Sequence, residues 1–280
     1  AIASDTVSTR DTRGGLKTVT HTKKIFELGP GHEVLVLHAG CSVVNGVPSW
    51  LLVTEWSKTL VAPLETVQDY IDSFVRWASD ATPMHSKASE QTELNIKLNS
   101  ILYEVGRDTK SEIQKLSAEN GKPADSHDVL KSQMELIKGW LESQDKMDHF
   151  TLEQAKQIVG RYQGNLEEKI DYYLKEFGVT KKDHSALVEL MALTLMSADF
   201  NREDDSYLAF VGFGFTQAFA VNRQLQMRAY YDGQLIYRLK ETNDYSPSED
   251  WRPGVDFFAQ DSAIQGFIQG YRSETIDMMG

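Results

Sequence analysis

From about residue 86 to residue 196 apolar residues recur at helical spacing and strand signals are almost absent, whereas the sequence on either side reads as strands and turns. Leu94, Leu98, Ile101, Leu102 and Val105 form one helical stripe, and Val129, Met134, Ile137, Trp140 and Leu141 form another. Thr151 and Gln154 have the spacing of a capping box. They would open a long helix carrying Ile158, Tyr162, Leu166, Ile170, Tyr173, Leu174 and Phe177, which Gly178 stops. Thr180 and Asp183 open a further helix containing Leu187, Leu190, Met191 and Leu195. Strands to either side of such a block imply an α+β domain interrupted by a helical insertion. The boundaries this implies are 1–82 for the first part, 83–200 for the insertion and 201–280 for the returning part.

In the first part, residues 16–28 are rich in Val, Thr, Ile and Phe, residues 29–31 make a turn, and residues 33–38 form a short β-branched and aliphatic run. Pro48 suits a first helical turn, with a helix over 49–60, and the stripe Leu64, Val67, Tyr70, Ile71, Phe74, Val75 and Ala78 predicts a second helix. After the insertion, residues 207–215 read as a strand. Residues 225–231 and 234–239 read as a hairpin around Asp232-Gly233. A strand at 255–259 and a helix from Ser262 follow. Gly212 and Gly214 lack the third glycine of a dinucleotide fingerprint and are read as part of a strand. Glu203, Asp204 and Asp205 read as a solvated acidic loop.

The 280 residues, 41% hydrophobic and 25% charged, support a sizeable globular core. A net charge of −12 argues against a nucleic-acid surface, because phosphate binding relies on Lys and Arg. A single cysteine, Cys41, excludes an internal disulfide framework and fits the reducing cytoplasm. Apolar runs are too short to span a bilayer. The seven histidines have no metal-ligand spacing, so neither metal nor cofactor is expected.

Chemistry concentrates near the start. Asp5 is an acid, Lys23 and Lys24 sit in β-type sequence, and Ala39-Gly40 is a small-residue turn. Alternation puts Lys24 on the face opposite Ile25, so one lysine of the pair points inward. A buried cation beside a small nucleophile lowers that group's proton affinity. A glycine amide at a strand end can bind an oxyanion, an effect of roughly 10²–10³ in rate. A surface lysine pair and an ordinary turn fit the same residues.

The order Ala3-Ser4-Asp5, Thr9, Lys23-Lys24-Ile25-Phe26-Glu27-Leu28 and Ala39-Gly40, followed by a helix, resembles the opening of proteasome β subunits and their bacterial relatives. The resemblance covers about 60 residues strongly and the returning strands weakly, and residues 10–15 look like an expanded turn within it. It implies a four-layer αββα sandwich of the N-terminal-nucleophile hydrolase type and a threonine-type peptidase acting on peptide or protein substrates in a homo-oligomeric ring. By position, Asp5 would orient Lys24, Lys24 would lower the nucleophile's pKa, and the Gly40 amide would bind the oxyanion. Thr9 would hold the substrate backbone, and Ser8, Thr22, His38 and Ser42 would surround a small polar specificity pocket. The nucleophile is expected roughly a dozen residues before Ala1, one strand and turn upstream. The family's closing elements are expected beyond Gly280, so the sequence reads as a fragment. Gln260 stands where the family carries a supporting serine, and the insertion has no counterpart in ordinary β subunits. A non-catalytic assembly or binding subunit is the alternative.

Overall fold

The computed structural model describes residues 8–12, 15–19, 24–80, 84–161, 163–200 and 204–240, with 8–12, 15–19 and 163–165 followed along the backbone. In chain order the strands and helices begin with β1 (Ser8–Thr12), β2 (Gly15–Val19), β3 (Ile25–Glu27), β4 (Val34–Gly40), β5 (Val43–Val44) and β6 (Val47–Pro48). The helices described next are α1 (Ser49–Ser57), α2 (Val67–Asp80), α3 (Lys87–Asn120), α4 (Ser126–Ser143), α5 (Leu152–Arg161), α6 (Gln163–Leu174) and α7 (Lys181–Met196). The described chain closes with β7 (Ser206–Gly212), β8 (Val221–Tyr231) and β9 (Gln234–Lys240). The protein is mixed α+β with an antiparallel sheet in the order β3-β4-β7-β8-β9. It divides into two compact units. The first takes the described residues up to Asp80 together with 204–227 and 239–240, and the second takes 84–200 with 228–238.

In the first unit β4 pairs along its whole length with β7, from Val34 opposite Gly212 to Gly40 opposite Ser206. Alternation sends Val34, Val36 and His38 to one face and Leu35, Leu37 and Ala39 to the other. The first set is buried, and Phe210, which pairs with Val36, lies on its face. Helices α1 and α2 cover that face through an aromatic cluster. Trp56 meets Phe74 edge-on at 5.4 Å and Phe210 at 5.9 Å, and Phe74 lies 6.0 Å from Phe210. Trp56 and Phe210 are fully buried, which places the core of this unit between the helix pair and the sheet.

Several elements differ from the sequence reading. Pro48 is not within the first helical turn; it caps α1 in extended conformation at φ −60° and ψ 130°. That helix stops at Ser57 rather than residue 60, and α2 starts at Val67, where Asp69 accepts the Thr66 amide and hydroxyl at 2.8 Å. Arg10 to Thr12 belong to β1 and Gly15 to β2, with Thr12 opposite Gly15, so strand pairing runs through the stretch read as an expanded turn. Strand β7 ends at Gly212 rather than Phe215: the Phe213 amide closes the β4 ladder on the Glu33 carbonyl, and the Phe215 amide turns away to the carbonyl of Leu64. Asp205, read as part of a solvated loop, is fully buried. The strand and helix expected after residue 254 lie outside the described residues.

The second unit packs α3 to α7 around one apolar core, which includes the stripe Leu94, Leu98, Ile101, Leu102 and Val105 and takes in Ala229, Tyr231 and Ile236 of the β8–β9 hairpin. Asp232 and Gly233, at φ 58° and 77°, make the left-handed pair that a two-residue type I′ hairpin turn requires. Helix starts follow their capping residues. Gln154 Oε1 accepts the Thr151 amide at 2.9 Å, and Asp183 Oδ2 accepts the Thr180 amide at 2.7 Å. Burial alone would raise the Asp183 carboxyl. Hydrogen bonds from Thr180 and from His127, whose Nε2–H donates at 2.9 Å, outweigh it and hold the acid at about 2. The long helix read over 152–177 is followed as α5 and α6 on either side of Tyr162, which lies outside the described residues, and it closes in a 3₁₀ turn at Lys175–Phe177 and left-handed Gly178. Arg228, buried at the start of the hairpin, donates to the carbonyls of Thr194, Ser197, Ala198 and Phe200. It thereby closes the C-terminal end of α7 and the turn beyond it.

Burying Trp56 anchors the first unit, so Trp56→Ala should cost about 3–5 kcal/mol of unfolding free energy, read as a lowered urea midpoint. In the second unit His85 stacks on Tyr230 at 3.7 Å with both ring nitrogens buried and unbonded, and burial pushes its pKa down to about 4 from an ordinary 6.5. The unfolded chain therefore binds the extra proton first. Stability contributed by neutral His85 should be intact above pH 6.5 and lost progressively as pH falls to 4, by up to about 1.4 kcal/mol per pH unit. Urea titrations between pH 7 and 4 should show a shallower acid limb for His85→Phe; an unchanged limb would refute the assignment.

Candidate active site

The C-terminal end of β4 gathers the chemically distinctive residues of the first unit. Lys24 stands just before β3, and its carbonyl accepts the His38 amide at 2.8 Å. The β3–β4 register, Ile25 opposite Leu37, puts Lys24 across from His38. Two residues further on, Gly40 ends β4 at φ 73°. The Cys41 amide then donates to the Asp205 carbonyl at 2.9 Å, and the His38 Nε2–H donates to the Cys41 carbonyl at 3.1 Å. The turn after Gly40 is thus held from β7 and from its own strand.

Backbone alternation sets the direction of the Gly40 amide. The His38 amide points to the β3 side and the Cys41 amide to the β7 side, so the amide of Gly40 points to the β3 side, the side of Lys24. Gly40 is also required sterically. A Cβ there would overlap the Asp205 carbonyl oxygen and sit 2.7 Å from Tyr207 Cδ2. Beneath this corner Asp205 accepts the Gln226 side-chain amide at 2.6 Å, and Ser49 and Ser206 share a buried 2.7 Å hydroxyl contact. Burial lowers the His38 pKa, the Cys41 carbonyl opposes that shift, and the charge of Lys24 reinforces it. The imidazole is therefore neutral near pH 7, with its proton on Nε2.

No family model, curated protein or solved structure matches this chain.

Of the residues singled out in the sequence, Lys24, His38, Gly40 and Ser42 share this corner. Ser42 is exposed, and its carbonyl accepts the Ser49 amide at 2.9 Å. Ser8 and Thr9 lie in β1 opposite Val19 and Thr18, in a separate two-stranded sheet. Asp5, Thr22 and Gln260 lie outside the described residues. Sequence reasoning missed Asp205 and Ser206, which form the floor under Gly40. The available signal was position: an acid directly before an apolar strand is better placed to enter the sheet than the two acids ahead of it. Among the described residues no group of three His, Cys, Asp or Glu side chains stands close enough to hold a metal ion. No helix among them is long and apolar enough to cross a membrane.

The corner offers one cation, one neutral histidine and one directed amide, a set that can lower the proton affinity of a small nucleophile and bind a developing oxyanion. Because backbone blocks any side chain at position 40, Gly40→Ala should lower stability by about 1–3 kcal/mol whatever the chemistry, read as a drop in melting temperature.

Proposed function

We propose that this chain is part of a threonine-type peptidase in which an N-terminal nucleophile preceding Ala1 attacks the scissile carbonyl of a peptide or protein. The observation that carries the reading is the corner formed by Lys24 and Gly40, with the glycine amide directed to the lysine's side of β4. In this mechanism the nucleophile's hydroxyl loses its proton to its own α-amino group as the C–O bond forms. Lys24 favours the ionised oxygen, and the Gly40 amide donates a hydrogen bond to the oxyanion that builds on the carbonyl. The α-amino group returns the proton to the leaving amine, and water then hydrolyses the acyl-enzyme. Asp5 orients Lys24, Thr9 receives the substrate backbone as an added strand, and Ser8, Thr22, His38 and Ser42 line the first pocket.

The same reading makes the described sheet one half of a four-layer αββα sandwich. Helices α1 and α2 supply an outer layer, and the opposite sheet face carries Leu35, Leu37, Ala209 and Val211, apolar enough to pack on a second sheet. Assembly into a homo-oligomeric ring and a cytoplasmic location belong to this proposal too. A second reading, a non-catalytic assembly or binding subunit, is favoured by one observation: close packing alone accounts for Gly40.

N-terminal sequencing of the full-length expressed protein distinguishes the two. A free Thr, Ser or Cys roughly a dozen residues ahead of Ala1 supports the peptidase. With it, Lys24→Ala should cut turnover of a fluorogenic peptide by about 10²-fold or more while leaving the melting curve in place. Unaltered turnover refutes the assignment. A retained Met with no turnover supports the assembly subunit.

A further inference from the structure

The first unit carries an exposed apolar surface that the peptidase reading does not use. Three phenylalanines lie in the loop between β7 and β8, with Phe213 38%, Phe215 80% and Phe219 47% exposed, and Val61 in the linker between α1 and α2 is 99% exposed. Single exposed apolar residues are ordinary, but several on segments joined to each other mark an interaction site.

The two segments are fastened together by their backbones. The Phe215 amide donates to the Leu64 carbonyl at 2.8 Å, and the Thr216 amide and hydroxyl donate to the Glu65 carbonyl at 3.0 and 2.9 Å. Gln217 Oε1 accepts the amides of Gly214 and Val67, each at 2.9 Å, and the Phe213 amide donates to Glu33. Gly212 and Gly214 lie so close to the backbone of Glu33 and of residues 65–66 that neither position has room for a Cβ. These bonds fix the loop while leaving the rings in solvent. The rings are presented on a rigid frame, an arrangement that spares a binding surface the cost of ordering itself.

Charge identifies the occupant. Residues 29–33, 61–66 and 213–220, which make up the platform, contain Glu33 and Glu65 and no lysine or arginine, and both acids are exposed. In a two-fold contact with a second copy these acids would face their own kind, a head-to-tail contact would set them against a chain of net charge −12, and an anionic lipid surface would repel them too. We propose that the platform docks a partner protein segment that presents aromatic or aliphatic side chains flanked by lysine or arginine.

A random peptide display library panned on the full chain, and counter-panned on Phe215→Ser/Phe219→Ser, tests this. These rings are exposed, so the double variant should melt as the parent does. The recovered peptides should combine apolar residues with flanking Lys or Arg and bind the double variant about tenfold more weakly or worse. Glu33→Lys/Glu65→Lys, altered only on the exposed rim, should weaken them about threefold to fivefold at low salt. Several outcomes overturn the proposal. They are recovery of no peptides, recovery of peptides without basic residues, and binding indifferent to the charge reversal. Self-association in sedimentation that the Phe215→Ser/Phe219→Ser variant abolishes overturns it as well, since the occupant is then a second copy.

Discussion

The pairing of β4 with β7 is the constraint on which the first unit rests. It joins segments far apart in sequence: Ser49, the first residue of α1, shares a buried hydroxyl contact with Ser206, 157 positions later. Closing so long a loop is entropically unfavourable, yet the cost grows only with the logarithm of length, so an inserted block can be long without unravelling the strands that flank it. Seven opposed residue pairs and the aromatic contacts of Trp56 and Phe74 on Phe210 supply the compensating free energy. The aromatic layer and the corner at Gly40 both exist because these two strands are in register. A slip of one residue would move Phe210 off its face and push the Asp205 carbonyl away from the Cys41 amide.

Features governed by short-range chemistry were legible in the sequence. The hairpin at Asp232-Gly233 needs only two residues that tolerate left-handed backbone, and the caps at Thr151 and Thr180 need only a side chain three positions on. Features decided by distant backbone were not. Nothing within residues 207–215 announces that β7 ends at Gly212, since the amide that leaves the sheet, that of Phe215, is taken by Leu64. The burial of Asp205 was hidden for the same reason. Its neighbours Glu203 and Asp204 suggest a solvated loop, while its partners, the Cys41 amide and the Gln226 side chain, come from segments distant in sequence.

Within the candidate site, Lys24, His38, Gly40 and Ser42 could be set near one another from the sequence because they lie on or beside two adjacent strands whose pairing is local. What it lacked was the second demand on Gly40. A glycine there satisfies the steric requirement set by Asp205 and Tyr207 before any question of an oxyanion arises. Loss of activity on substituting it is therefore weaker support for a catalytic role than loss on substituting Lys24, whose side chain carries the charge.

Arg228 has a consequence for how the helical part of the protein can be handled. Its guanidinium satisfies carbonyls at the end of α7 from a strand that the chain reaches only after returning from β7. The helical unit is therefore discontinuous in sequence. A piece cut out at residues 84–200 would leave behind both that cation and the apolar side chains of Ala229, Tyr231 and Ile236. The carbonyls would be left to water, and one wall of the core would be open. Grafted elsewhere or expressed alone, the helices need the β8–β9 hairpin carried with them, by a linker or a permuted chain, to be the same object they are here.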